Sequence, residues 1–116
     1  MKVLVVDDDY SFLRPLAIHL FNNGHTVLEA GSVDEATLHI DRNADIGCVI
    51  TDLSMQHDRS GIEILQHVRS VLGDHIVVCL SATNLTQEIA DESQKFDAIA
   101  VEKPFGLKRL SGVLGL

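Results

Sequence analysis

Five short apolar runs punctuate this chain, each separated from the next by a stretch whose apolar residues return every three or four positions. That alternation narrows the fold more than any other feature. The runs are Lys2 to Val6, Thr26 to Ala30, Ile46 to Thr51, His75 to Leu80 and Ala98 to Val101. Strands alternating with helices form repeated units on a parallel sheet. All but the second run are apolar nearly throughout, as strands are when helices cover both faces of the sheet. The predicted fold class is therefore α/β.

The helical stretches carry their own signals. Leu13, Leu16, Ala17, Leu20 and Phe21 predict a buried stripe on a first helix, with Gly24 placed to end it. Pro15 falls inside that helix and removes one backbone hydrogen bond near its first turns. Ser32 with Glu35 has the pattern of a capping box opening a second helix, and Asn84 with Gln87 has the same pattern for a fourth. Ile62, Leu65, Val68 and Leu72 give the third helix its stripe, and Leu107, Leu110, Val113 and Leu114 predict a short final one. The fourth helix has only Leu85, Ile89 and Phe96 as anchors among polar neighbours, so it is expected to be loosely held.

A chain of 116 residues with 46% apolar content can bury the core of one domain, and residues 1–116 are expected to form a single one. The formal charge of −8 works against binding to nucleic-acid backbones or anionic lipid, which need clustered Lys and Arg. No apolar run reaches the ~20 residues of a membrane span, and the N-terminus lacks the order of a secretory signal. A cytoplasmic location is expected. Cys48 and Cys79 lie in apolar runs and read as small buried hydrophobes, and the six histidines have no metal-ligand spacing.

In a parallel sheet the residues that follow the strands share one edge, where open α/β folds bind ligands. Asp7 and Asp8 follow the first run, Asp52 the third, Ser81 the fourth, and Lys103 with Pro104 the fifth. Ionised carboxylates ~4 Å apart repel by roughly 4 kcal/mol at an effective dielectric of ~20, so a cation belongs among the aspartates. Hard oxygen ligands in this number suit Mg²⁺, which takes one or two carboxylates and leaves a position for a phosphoryl oxygen.

Four segments, VLVVDDD, VITDLSM around Asp52, LSAT at Ser81 and EKPF at Lys103, stand in order at those strand ends. On them, and over essentially its whole length, the chain resembles a response-regulator receiver domain of two-component signalling. The resemblance implies a flavodoxin-like, doubly wound parallel sheet of five strands in the order 2-1-3-4-5. It implies that Asp52 is the phosphoacceptor, that Asp8 binds Mg²⁺ directly and Asp7 largely through water, and that the backbone carbonyl of Ser54 completes the metal site. Ser81 would hydrogen-bond a phosphoryl oxygen and Lys103 would pair with another, next to a cis peptide bond to Pro104. The implied partners are a histidine kinase or phosphotransfer protein and a downstream protein target. Asp9 lies outside the matching pair and reads as a solvated acid or helix-start residue.

Two departures from the family pattern stand out. Where the family usually has a proline four residues after the acceptor and a glycine eight after, this chain has Gln56, and the glycine is Gly61, a one-residue insertion. Where the family commonly has Tyr or Phe three residues before the lysine, this chain has Ala100, so the usual aromatic reporter of phosphorylation is missing. Ala100 motivates an alternative, a docking module of the same fold that works without phosphorylation. A Mg²⁺-dependent phosphohydrolase is disfavoured because the chain has no cap domain or spare substrate pocket.

Overall fold

The computed structural model describes residues 1–116. Ten elements alternate along it: β1 Lys2–Val6, α1 Tyr10–Asn22, β2 Thr26–Ala30, α2 Val33–Arg42, β3 Ile46–Asp52, α3 Ser60–Val71, β4 Val77–Ala82, α4 Gln87–Gln94, β5 Ile99–Glu102 and α5 Leu107–Leu114. All strand pairs are parallel, and the sheet order is β2-β1-β3-β4-β5. The expected class and strand order are both found.

The order reverses at β1, and right-handed crossovers on either side of a reversal put helices on opposite faces. Side-chain parity follows. Val3, Val5, Cys48, Ile50 and Cys79 face one way and bury Leu13, Leu16 and Leu20 of α1 with Leu110 and Leu114 of α5. Leu4, Val6, Val49, Val78 and Leu80 face the other way, against Ala36 and Ile40 of α2 and Ile62, Leu65 and Val68 of α3. Both cysteines are buried free thiols, and burial pushes each up to about 12, which leaves them inert hydrophobes.

Local chemistry explains the helix boundaries. Asp9 caps α1 by accepting from the backbone N–H of Ser11, and the helix runs on through Pro15 to a turn at Gly24, whose φ of 90° suits glycine. Ser32 caps α2 by accepting from Glu35 N–H at 3.1 Å, as its spacing predicts. The fourth helix is capped differently from expectation. Thr86, not Asn84, accepts from the N–H three residues on, that of Ile89, at 3.2 Å. Phe21 also departs from the expected stripe and is 70% exposed, because Leu20 fills the inward position of that turn.

The fourth helix is as weakly anchored as its composition predicts. Ser93 is its only fully buried residue, while Leu85, Ile89 and Phe96 are partly buried against the core. Its far end is tied down by Arg69 of α3, whose guanidinium donates to the carbonyls of Gly73, Ile76, Phe96 and Asp97 at 2.8–3.3 Å. Nearer the head of α3, Arg59 forms an ion pair with Glu92 of α4.

Candidate functional site

At the end of β1 the chain leaves the sheet at Asp7, whose N–H still donates to Ala30 of β2 at 3.0 Å. That tie turns the Asp7 side chain into the crevice beside β3, the reversal point of the strand order where ligands bind in such folds. Asp52 ends β3 and pairs in register with Ser81 of β4. Both aspartates are buried, and the third member, Asp8, is exposed. Asp7, Asp8 and Asp52 each offer a carboxylate oxygen, and these lie within 4.8 Å of one another.

Lys103 follows β5 and crosses to this cluster. Its ammonium donates to Asp7 Oδ2 at 2.7 Å and stands 3.3 Å from Asp52 Oδ1. The other Asp7 oxygen accepts from the N–H of Asp9 at 3.0 Å, so both its oxygens are engaged. The Lys103 side chain is 14% exposed. Burial works to lower its pKa, but hydrogen bonding and attraction from Asp7 and Asp52 outweigh that and raise it, keeping the ammonium charged. Burial, and then the charge of Asp7, push the Asp52 carboxyl up to about 6, against the pull of Lys103.

Three carboxylates against one ammonium leave a formal charge of −2 when all are ionised. The donor set is all oxygen and holds no imidazole or thiolate, which fits a hard divalent cation. Beside Asp52 a cavity of about 250 Å³ is lined by Leu53, Ser54, Ala82, Thr83 and Asn84. The arrangement gathers three carboxylates and one ammonium at a single edge of the sheet, with the cavity opening beside Asp52.

Ser81 is buried next to Asp52 in the ladder, with its hydroxyl turned to the Thr51 carbonyl at 3.4 Å. It lies inside β4, not after it, because a polar side chain does not stop the backbone from pairing. Pro104 follows a cis peptide bond at Lys103. Ala100 is not part of the cluster. It lies in β5 between two recesses, one shared with Phe105, Arg109 and Val113 and the other with Gln87 and Ala90.

The sequence reading missed one neighbour of the site. Phe12 of α1 presents its ring face to the Lys103 ammonium, 4.2 Å from the centroid, and meets Phe105 edge-on at 5.2 Å. Its place five residues after Asp7 on a helix that starts beside the cluster was the only available signal.

Known proteins share this architecture. A receiver-domain protein from Methanospirillum hungatei is 20% identical, with a TM-score of 0.87 over 98% of this chain and 90% of the other. The chemotaxis protein CheY4 of Vibrio cholerae is 25% identical, with a TM-score of 0.86 over 98% and 95%. The NtrC4 receiver domain, solved as a beryllofluoride-activated dimer, is 25% identical, with a TM-score of 0.87 over 98% and 93%. A search of curated proteins by sequence found no match. The family model for the response regulator receiver domain matches residues 3–114, and with the strand order and the acidic edge already described, the chain belongs to the response-regulator receiver domains.

Proposed function

We propose that this receiver accepts a phosphoryl group on the Asp52 carboxylate from a phosphohistidine of a histidine kinase or phosphotransfer protein, and so switches its contacts with a downstream protein target. The observation that carries the proposal is the convergence of Lys103 and the acidic cluster on Asp52, from β1, β3 and the end of β5. A carboxylate oxygen of Asp52 attacks phosphorus, the P–N bond breaks, and the electron pair leaves with the imidazole. Water later attacks the acyl phosphate and releases inorganic phosphate, restoring the carboxylate. The chain thus acts as a switch that consumes its own phosphoryl group.

Asp7, Asp8, Asp52 and the Ser54 carbonyl would hold Mg²⁺. When bound, the ion supplies positive charge to offset the carboxylates and the incoming phosphoryl oxygens. Lys103 has to leave Asp7 to meet one of those oxygens, and its raised pKa keeps it an ammonium while it does so. Ser81 is one ladder position from the acceptor and has a rotatable hydroxyl to offer another oxygen. A small phosphodonor such as acetyl phosphate serves the same chemistry.

Intact mass after incubation with acetyl phosphate and Mg²⁺ tests this reading. Wild type should gain one phosphoryl group and Asp52→Asn none. Equal labelling of both would move the acceptor elsewhere. Ala100 in place of an aromatic favours a second reading, a docking module that needs no phosphorylation. Unlabelled wild type, with Mg²⁺ shown to bind, would select it.

A further inference from the structure

We infer that Phe12 is a positioning residue for Lys103, holding the ammonium at the site by its ring face when the carboxylates are otherwise engaged. The inference rests on the proposed role of Lys103 toward a phosphoryl group. Three partners surround the ammonium: Asp7 at 2.7 Å, Asp52 at 3.3 Å and the Phe12 ring centroid at 4.2 Å. The first two are also candidate cation ligands. A divalent cation shared by those carboxylates and Asp8 offsets two of the three negative charges and so weakens their hold on Lys103. The negative face of the Phe12 ring then adds an attraction that competes for neither the metal nor the phosphoryl group.

The ring is built to stay in place. Phe12 lies in the first turn of α1, with its N–H bonded to the carbonyl of the capping residue Asp9 at 3.0 Å. Its body packs against the core on that face of the sheet. Its contact with Phe105 is edge-on, at an interplanar angle of 89°, and joins the helix to the loop that carries Lys103. A leucine or methionine fills much of the same space but offers no ring face.

The test compares Phe12→Leu and Phe12→Tyr with wild type. In Mg²⁺-loaded wild type the ε-methylene protons of Lys103 should resonate upfield of a free lysine through the ring current. Phe12→Leu should abolish that shift and Phe12→Tyr should keep it. Labelling by acetyl phosphate at saturating Mg²⁺ should slow about fivefold in Phe12→Leu, or ~1 kcal/mol at 1.36 kcal/mol per tenfold, and recover in Phe12→Tyr. Mg²⁺ affinity should be unaltered, since a phenyl ring offers no oxygen ligand to the cation. If Phe12→Leu melts early, Phe12→Met gives the same comparison. An unshifted Lys103 signal in Mg²⁺-loaded wild type overturns the inference, as does wild-type labelling by Phe12→Leu. Failure of wild type to label at all would instead defeat the proposed function, while the Lys103 shift still decides the positioning.

Discussion

Gly61, the second residue of α3, lies with its Cα so close to the carbonyl oxygen of Asp52 that a β-carbon there would overlap it, along with the Cα of Leu53 and the side chain of Leu80. The Gly61 N–H also donates to the Leu53 carbonyl at 2.7 Å. The head of α3 is therefore seated directly on the backbone of Asp52. Gly61→Ala should lower stability by roughly 1–3 kcal/mol through overpacking against backbone that cannot rotate away. A urea midpoint checks this, and an unshifted midpoint would mean that α3 can ride up at little cost.

The raised pKa of Asp52 makes the metal-free protein sensitive to pH. Because the folded state holds this proton to about pH 6, against an ordinary value of 3.8, the stabilisation is full below about pH 4. It is lost as pH rises through about 6. At about pH 8 Asp52→Asn should be more stable than wild type by roughly 2–3 kcal/mol, taking 1.36 kcal/mol per pKa unit, and the gap should close toward about pH 4. Urea unfolding in chelator across that range measures it. A gap that does not vary with pH would assign the difference to some cause other than ionisation.

Asp8 is the exposed member of the cluster and has no cationic partner of its own among the ion pairs. Asp8→Asn should leave the metal-free protein at least as stable as wild type, since it removes one of three crowded charges. Mg²⁺ affinity should fall on the order of tenfold, and labelling by acetyl phosphate should slow with it. Calorimetric titration with Mg²⁺ checks the ligand. Undiminished affinity would remove Asp8 from the metal shell.

Adding beryllofluoride and Mg²⁺ should change amide exchange across residues 82–96 and leave β5 around Ala100 nearly as it was. The physical grounds are the shallow anchoring of α4 and the absence of a ring at position 100. Arg59, in the loop between Asp52 and Gly61, reaches α4 through Glu92. Arg59→Ala should therefore speed exchange in α4 roughly two- to fivefold, the equivalent of a partly exposed ion pair worth up to ~1 kcal/mol. A large response at Ala100 with α4 silent would reverse this account of signalling.

The sheet and the acidic edge were legible because both depend on backbone pairing and on which residues follow each strand. Those follow from one-dimensional pattern. The end of β4 was placed early, since Ser81 and the residues around it look like a turn, yet they pair with β3 and β5 all the same. Two overlapping cap spacings, at Asn84 and Thr86, compete in sequence, and the three-dimensional path of the loop selects the second. Phe21 was misread because a helical stripe has soft edges, and the adjacent Leu20 already occupies the core. Contacts such as Lys103 over Phe12 and Arg59 with Glu92 join side chains from distant segments. They depend on rotamers and crossing geometry that periodicity does not encode.

Arg69 has a mechanical consequence for α4. The guanidinium has no acid to answer and spends its donors on carbonyls at the edge of the sheet opposite the site, two of them in the Phe96–Asp97 turn that ends the helix. The front of α4 has the surface Thr86 cap, the bond from Leu85 N–H to Glu102 at 3.1 Å, and the partly buried side chains of Leu85 and Ile89. A rod about 12 Å long, at ~1.5 Å per residue, is thus clamped at one end and more lightly held at the other. Any swing of the helix about Arg69 would be widest at its front, next to the Thr83–Asn84 loop that lines the cavity beside Asp52.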